Sequence, residues 1–234
     1  MPLNYSSYVA SIANLLEVPT SDPNFQTMIP NMLDDAELRL QRDLDLVDST
    51  VRDSSSTFTT GTRTFALPTT NGTFISVDQI NVITPAGQTV PDSGTRNPMV
   101  KTSVDLLDSL YPSATASTIP QYFSMLDQDT MLVGPFPDAA YTVEVVGPQR
   151  FVPLYTSQTT SVLSVFFPDL LIAASMVFAT AYQQNFGASA DNPSMAQSWE
   201  SHYKQLLSSA ETEEARKKFL VGNAEPPMPP MPKG

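Results

Sequence analysis

The 234-residue sequence contains no cysteine. That absence excludes disulfides, thiolate nucleophiles and zinc–thiolate sites, and nothing in the composition marks an oxidising compartment. Histidine occurs once, at His202, with no nearby motif to complete a catalytic triad or a metal site, so an ordinary surface or half-buried side chain is expected. No glycine-rich phosphate loop and no metal-ligand spacing is found, so no cofactor, metal or catalytic residue is expected. The opening residues, MPLNYSSYVASIANLLEV, lack the basic region and long apolar core of a signal peptide, and synthesis in the cytoplasm is expected.

Positive charge is scarce. Lys and Arg number 12 against 24 Asp and Glu, for a formal net charge of -12. Residues 1–47 carry 7 acids and 2 bases, 48–162 carry 10 and 5, and 163–234 carry 7 and 5. No segment is basic, so tight nucleic-acid binding by phosphate neutralisation is not expected; an acidic surface repels DNA rather than gripping it.

A membrane-length apolar run is also missing. The nearest candidate is Phe166–Phe186, FFPDLLIAASMVFATAYQQNF, but its uninterrupted apolar part runs only from Leu170 to Ala179 and contains Ser175. A span needs about 20 apolar residues, and no Lys or Arg flanks this one. The stretch predicts a helix covered on nearly all sides by protein. Its aromatics (Phe166, Phe167, Phe178, Tyr182) stand with Leu170 and a small-residue surface that includes Ala174, and suit either an ordinary core or a contact between subunits.

What is present reads as helices, then strands, then helices. Tyr8, Val9, Ile12, Leu15 and Leu16 repeat at helical spacing. After Asp22–Pro23, a cap followed by a first-turn proline, Phe25, Met28, Ile29, Met32, Leu33, Ala36 and Leu40 form a second stripe, with a kink or restart expected at Pro30. From about Asp48 the composition shifts to Thr, Ser, Val, Phe, Pro and Gly in short runs. Asn71–Gly72 suits a tight hairpin, as does Gln128–Asp129, and TSVDLLDSLYP predicts one short helix. The helical period returns in the Phe166–Phe186 stretch, with Gly187 as its stop, and in a last helix from Asn192–Pro193. That helix carries Met195, Trp199, Tyr203, Leu206, Leu207 and Ala210 on one face, with Glu213–Lys217 and Glu214–Lys218 as supporting pairs. GNAEPPMPPMPKG then predicts an extended, polyproline-like tail. The fold expected is α+β: an antiparallel helical module from both chain ends (residues 1–47 and 161–221), a β-rich insertion (48–160) and an extended Pro-rich tail (222–234).

Two groups of acids merit weighing as chemistry. Asp34, Asp35 and Glu37 read as the solvated face of the second helix, compensated by Arg39 and Arg42. Asp127, Asp129, Asp138 and Glu144 contain the carboxylates a glycosidase would need, although Asp127 and Asp129 are already explained by turn chemistry. In the tail, Pro226, Pro227, Met228, Pro229, Pro230 and Met231 suit docking in a partner's groove at low entropic cost.

Taken in order, "Y...V..IA.LL", "F....P.ML..AE.RL.RDL", an insertion with "FALP" and "IPQYFSMLDQDTMLVGPFP", "VFFPDLLIAASMVFATAY" and "W...Y..LL" resemble the head-to-tail adaptors of short-tailed bacteriophages, the tail accessory factor or tail tubular protein A type. The likeness spans roughly residues 5–215, and the Pro-rich tail lies outside it. It implies a structural virion protein of the neck, not an enzyme, forming a homo-oligomeric ring of twelve subunits below the portal protein. The helical module would meet the portal and its neighbours, the β domain would meet the tail nozzle and other tail proteins, and the channel would conduct DNA without binding it tightly. A tail-associated glycan-cleaving enzyme and a sugar- or receptor-binding β module remain the alternatives.

Overall fold

Asn4 and Asp22 set where the first two helices begin. In α1 (Tyr5–Leu16) the Asn4 side chain accepts from the Ser7 N–H at 2.8 Å, and Ser7 Oγ accepts from the Asn4 N–H at 3.0 Å; this reciprocal pair satisfies two otherwise orphaned donors. In α2 (Pro23–Asp43) Asp22 Oδ1 accepts from the N–H groups of both Asn24 and Phe25. The helix does not restart at Pro30; α2 runs through it as one continuous helix. Pro30 deprives the Gln26 carbonyl of its partner, but Gln26 is exposed and water can reach that carbonyl. Ile29, Met32 and Leu33, on either side of it, are buried and anchor this part of the helix in the core.

The computed structural model describes residues 2–157, 159–182 and 193–221. They divide into a helical unit, built from residues up to Val47 and from Val152 onward, and a contiguous unit Asp48–Phe151. The chain re-enters the helical unit at 152, nine residues ahead of the boundary expected at 161. The reason is local: Leu154, in the first turn to form there, is fully buried and its N–H is held by a side chain of α2.

The contiguous unit contains β1 (Thr50–Thr57), β2 (Thr64–Ala66), β3 (Gly72–Phe74), β4 (Gln79–Thr84), β5 (Thr95–Pro98), β6 (Val100–Lys101), α3 (Val104–Leu110), β7 (Tyr122–Met125), β8 (Thr130–Gly134) and β9 (Thr142–Phe151). One sheet has the order β1-β9-β4-β5, with β3 also on β9; the other is β2-β8-β7-β6. All pairs are antiparallel except β6 with β7. Both sheets send side chains into one apolar cluster, including Phe58, Phe65, Phe74, Ile80, Phe123, Val133 and Val143, so they form a sandwich around a shared core.

The hairpin at residues 126–129 forms between β7 and β8 as the turn residues suggest, with Asp127 Oδ1 accepting from the Asp129 and Thr130 N–H groups. The hairpin expected at Asn71–Gly72 does not. The strand before it pairs with β8 and the strand after it with β9, in different sheets. Gly72 is instead the first residue of β3, at φ 140, and a Cβ there would collide with the Arg150 carbonyl oxygen. Its glycine is required by close approach to β9, not by a two-residue turn.

The helical unit continues with α4 (Leu154–Ser157), α5 (Val162–Phe166), α6 (Pro168–Tyr182) and α7 (Pro193–Val221). The long apolar stretch therefore begins on α5, breaks at Phe167, and continues as α6; its expected stop at Gly187 lies outside the described residues. α6 packs against α1, α2, α5 and α7. Among the described residues, no helix is long and apolar enough to cross a membrane.

Candidate functional site

α6 has almost no polar face, and its surroundings explain why. Leu170, Leu171, Ala173, Ala174, Ser175, Met176 and Ala179 are all buried. The small residues admit neighbouring backbones closely, and the one hydroxyl among them is satisfied: Ser175 Oγ donates to the Leu171 carbonyl at 2.7 Å and accepts from Tyr8 Oη at 2.8 Å. Burial pushes the Tyr8 phenol well above its ordinary pKa, so this buried link between α1 and α6 stays neutral.

Polar contacts tie α2 to the elements around it. Arg39 makes a two-pronged pair with Glu200 of α7, at 2.9 and 2.8 Å, and its guanidinium lies 4.0 Å over the Tyr203 ring. The hydrogen bond from Arg39 holds the Glu200 carboxyl below its usual range. Tyr203 Oη donates to Asp43 at 2.6 Å. Further along α7, buried Glu214 accepts from the Val47 N–H at 2.9 Å and from Lys217 at 2.8 Å, while Lys218 pairs with Asp45. The Glu213–Lys217 pair forms at 2.9 Å. The expected Glu214–Lys218 pair does not, because Glu214 faces inward and each residue has a partner closer to the junction at 45–47.

Glu37 departs from the solvated face expected of it. Asp34 and Asp35 are exposed as expected, but Glu37 is buried and accepts from the Leu154 N–H at 3.1 Å and from Ser161 Oγ at 3.4 Å. Arg39 is engaged elsewhere. Burial pushes the Glu37 carboxyl up to about 7, against the opposing pull of those two donors.

The residues singled out for packing separate into four groups. Phe167, Leu170, Ala174 and Tyr203 are in the helical core, and Phe178 and Trp199 are half-buried, the latter with its ring edge-on to His202. Phe166 is 52% exposed, with the Lys217 ammonium 4.8 Å above its ring. The Tyr182 side chain and the tail residues Pro226 to Met231 lie outside the described residues. Other apolar side chains that sequence periodicity did not single out as surface are exposed on this unit: Leu15, Val165, Met195 and Phe219, the last at 72%.

In the β unit, an open cleft of about 660 Å³ is lined by Arg52, Pro91, Asp92, Arg96 and Glu144. Glu144 sits at its floor. Burial alone would raise its pKa, but hydrogen bonds from Arg96 and Asn81 and the charges of Arg96 and Arg52 hold it below the usual range. A carboxylate so held is a poor proton donor near neutrality. Asp127 is bound up in its hairpin, and Asp138 accepts from the Tyr141 hydroxyl at 2.8 Å. Among the described residues no group of three or more His, Asp or Glu side chains is placed to hold a metal ion.

The geometry is thus a helical unit closed from both chain ends, with a β unit inserted and apolar side chains left on the helical surface. A family model described as SU10 adaptor protein matches residues 3–224, across both units. The chain belongs to the SU10 adaptor protein family, and is thereby a phage structural adaptor, a virion component that associates with other head or tail proteins. No curated protein matches the chain.

Proposed function

We propose that the protein forms a ring, of twelve copies by resemblance, that joins the portal to the tail nozzle and lines part of the channel through which DNA leaves the particle. The observation that carries this reading is the family match over residues 3–224. The helical unit supports it: α6 is covered by its own chain, so contacts between copies fall to the apolar side chains left outside, with Phe166 foremost. The net charge of -12 supports a conduit that lets a polyanion slide. The Pro–Met segment 226–231 is assigned a partner contact.

Mixing purified chain with portal particles and imaging them by electron microscopy tests the reading. Rings below the portal are expected from the wild type. Phe166→Asp should fold with an unchanged melting temperature and lose ring occupancy, since its side chain is already half in water. Deleting residues 224–234 should leave the fold intact and weaken association with a partner. A monodisperse chain that ignores portal and cleaves peptidoglycan would sink the proposal in favour of the glycan-cleaving alternative.

A further inference from the structure

The cleft of the β unit is not used by the ring contacts proposed above, which draw on the helical unit. Its side chains stand in a row across four strands: Arg52 on β1, Glu144 on β9, Asn81 on β4 and Arg96 on β5, with Asn81 directly opposite Glu144 in the ladder. The Glu144 side chain is 3% exposed. Its Oε2 accepts from Arg52 Nη1 at 3.2 Å, Asn81 Nδ2 at 2.8 Å and Arg96 Nε at 3.0 Å. Its Oε1 accepts from Arg96 Nε and Nη2, both at 3.1 Å. At the rim, Asp92 Oδ1 accepts from Arg96 Nη2 at 2.7 Å.

The acceptors are thus nearly used up, and the donors are not. A guanidinium has five N–H groups. Among the described residues Arg52 engages only through Nη1, and Arg96 leaves its own Nη1 without a partner. The side chains of Arg52 and Arg96 are 58% and 36% exposed, so these unused edges face the cleft or solvent while Glu144 fixes their other edges. Arg52, bonded through Nη1 alone, keeps an unused edge beside the opening, and Arg96, held by both Glu144 and Asp92, keeps Nη1; together these donors suit a further carboxylate.

We propose that this cleft is a docking socket for a single Asp or Glu side chain presented by a partner protein. The volume of about 660 Å³ is more than an isolated anion fills, and admits a side chain with the backbone that carries it. Duplex DNA is the wrong occupant. The β unit has ten acids against five bases, and the side chain of Asp92, 86% exposed, guards the rim; a polyanion would bring many phosphates against that field, whereas a side chain brings one charge. The proposal rests on the row of side chains and not on ring formation.

The full isotopically labelled chain, followed by NMR through its arginine Nε–H signals at constant ionic strength, provides the test. Capped tetraglutamate should shift the Arg52 and Arg96 signals saturably, and capped tetraglutamine should not. Arg52→Gln, at an exposed position, should leave the backbone spectrum intact and weaken the apparent affinity for tetraglutamate roughly five-fold. The proposal is overturned if the shift does not saturate, if it is unaffected by Arg52→Gln, or if inorganic phosphate or a DNA duplex produces the same response as the acidic peptide.

Discussion

A carboxylate with a pKa near neutrality, in the interior of a helical unit, gives this protein a proton-linked stability that its composition does not advertise. Glu37 titrates at about 7 in the folded chain against an ordinary 4.5, chiefly because burial disfavours its charge. The folded chain therefore holds this proton more tightly than the unfolded chain. The resulting contribution is fully present below about pH 4.5 and lost as pH rises through about 7. Thermal unfolding of the wild type should show that slope superimposed on the titration of other groups, and Glu37→Gln should flatten it. At pH 8 the variant should gain roughly 2 kcal/mol, since the amide keeps an acceptor for Leu154 and Ser161 without the buried charge. The same pH slope in variant and wild type would show that Glu37 does not titrate as described. Periodicity alone placed residue 37 one position from Ala36 and three from Leu40, on the edge of the core stripe; its acidic side chain argued for water. The deciding partner, the Leu154 N–H, is 117 residues away in the chain, and no local pattern reports it.

At the scale of elements, α6 was legible in kind but not in extent. Its apolar character and small residues pointed to a helix enclosed by protein, and α1, α2, α5 and α7 enclose it. The break at Phe167 has a local cause that the apolar pattern hid: Phe167 precedes Pro168, which disfavours helical backbone at 167 and opens α6 at its first position, while Ser161 and Ser164 cap the start of the short helix before it. Burial along α6 is uneven, and this grades the effect of substitutions. Leu171→Ala removes a fully buried side chain and should cost about 2–5 kcal/mol in chemical denaturation. Phe178→Asp, at a half-buried position from which a carboxylate can reach water, should cost less than a buried charge would. If Phe178→Asp proves the more damaging of the two, the exposed edge of α6 is covered in solution. In the β unit, strand content and the 126–129 turn were readable, yet the partnering of β2 and β3 was not. Asn–Gly serves as well for a crossing between sheets as for a hairpin, and only the crowding of Gly72 against Arg150 distinguishes them.

For the whole molecule, charge decides more than any single contact. A net charge of -12 on each copy means that copies brought together repel one another, and the repulsion is screened over about 10 Å at 0.1 M salt. Association of copies with one another should strengthen as salt is raised from about 20 to about 150 mM, the opposite of a basic DNA-binding assembly. Gel retardation of duplex DNA should be absent across the same range. Sedimentation at both salt concentrations would reveal weakening instead of strengthening, in which case specific ion pairs, not apolar contacts, dominate the interface.

The discontinuity of the helical unit carries a consequence for how the protein comes to exist. Residues up to Val47 and residues from Val152 onward share one core, but the ribosome makes them roughly a hundred residues apart, an interval of about 5–20 s at ordinary elongation rates. During that interval the buried stripe of α2, from Phe25 to Leu40, has been synthesised and α6 has not. The unit Asp48–Phe151 is contiguous and able to close first. Vectorial synthesis thus permits an order in which the β unit folds on the nascent chain while the N-terminal helices wait, and the amphipathic stripe of α2 is the segment that a chaperone would have reason to hold.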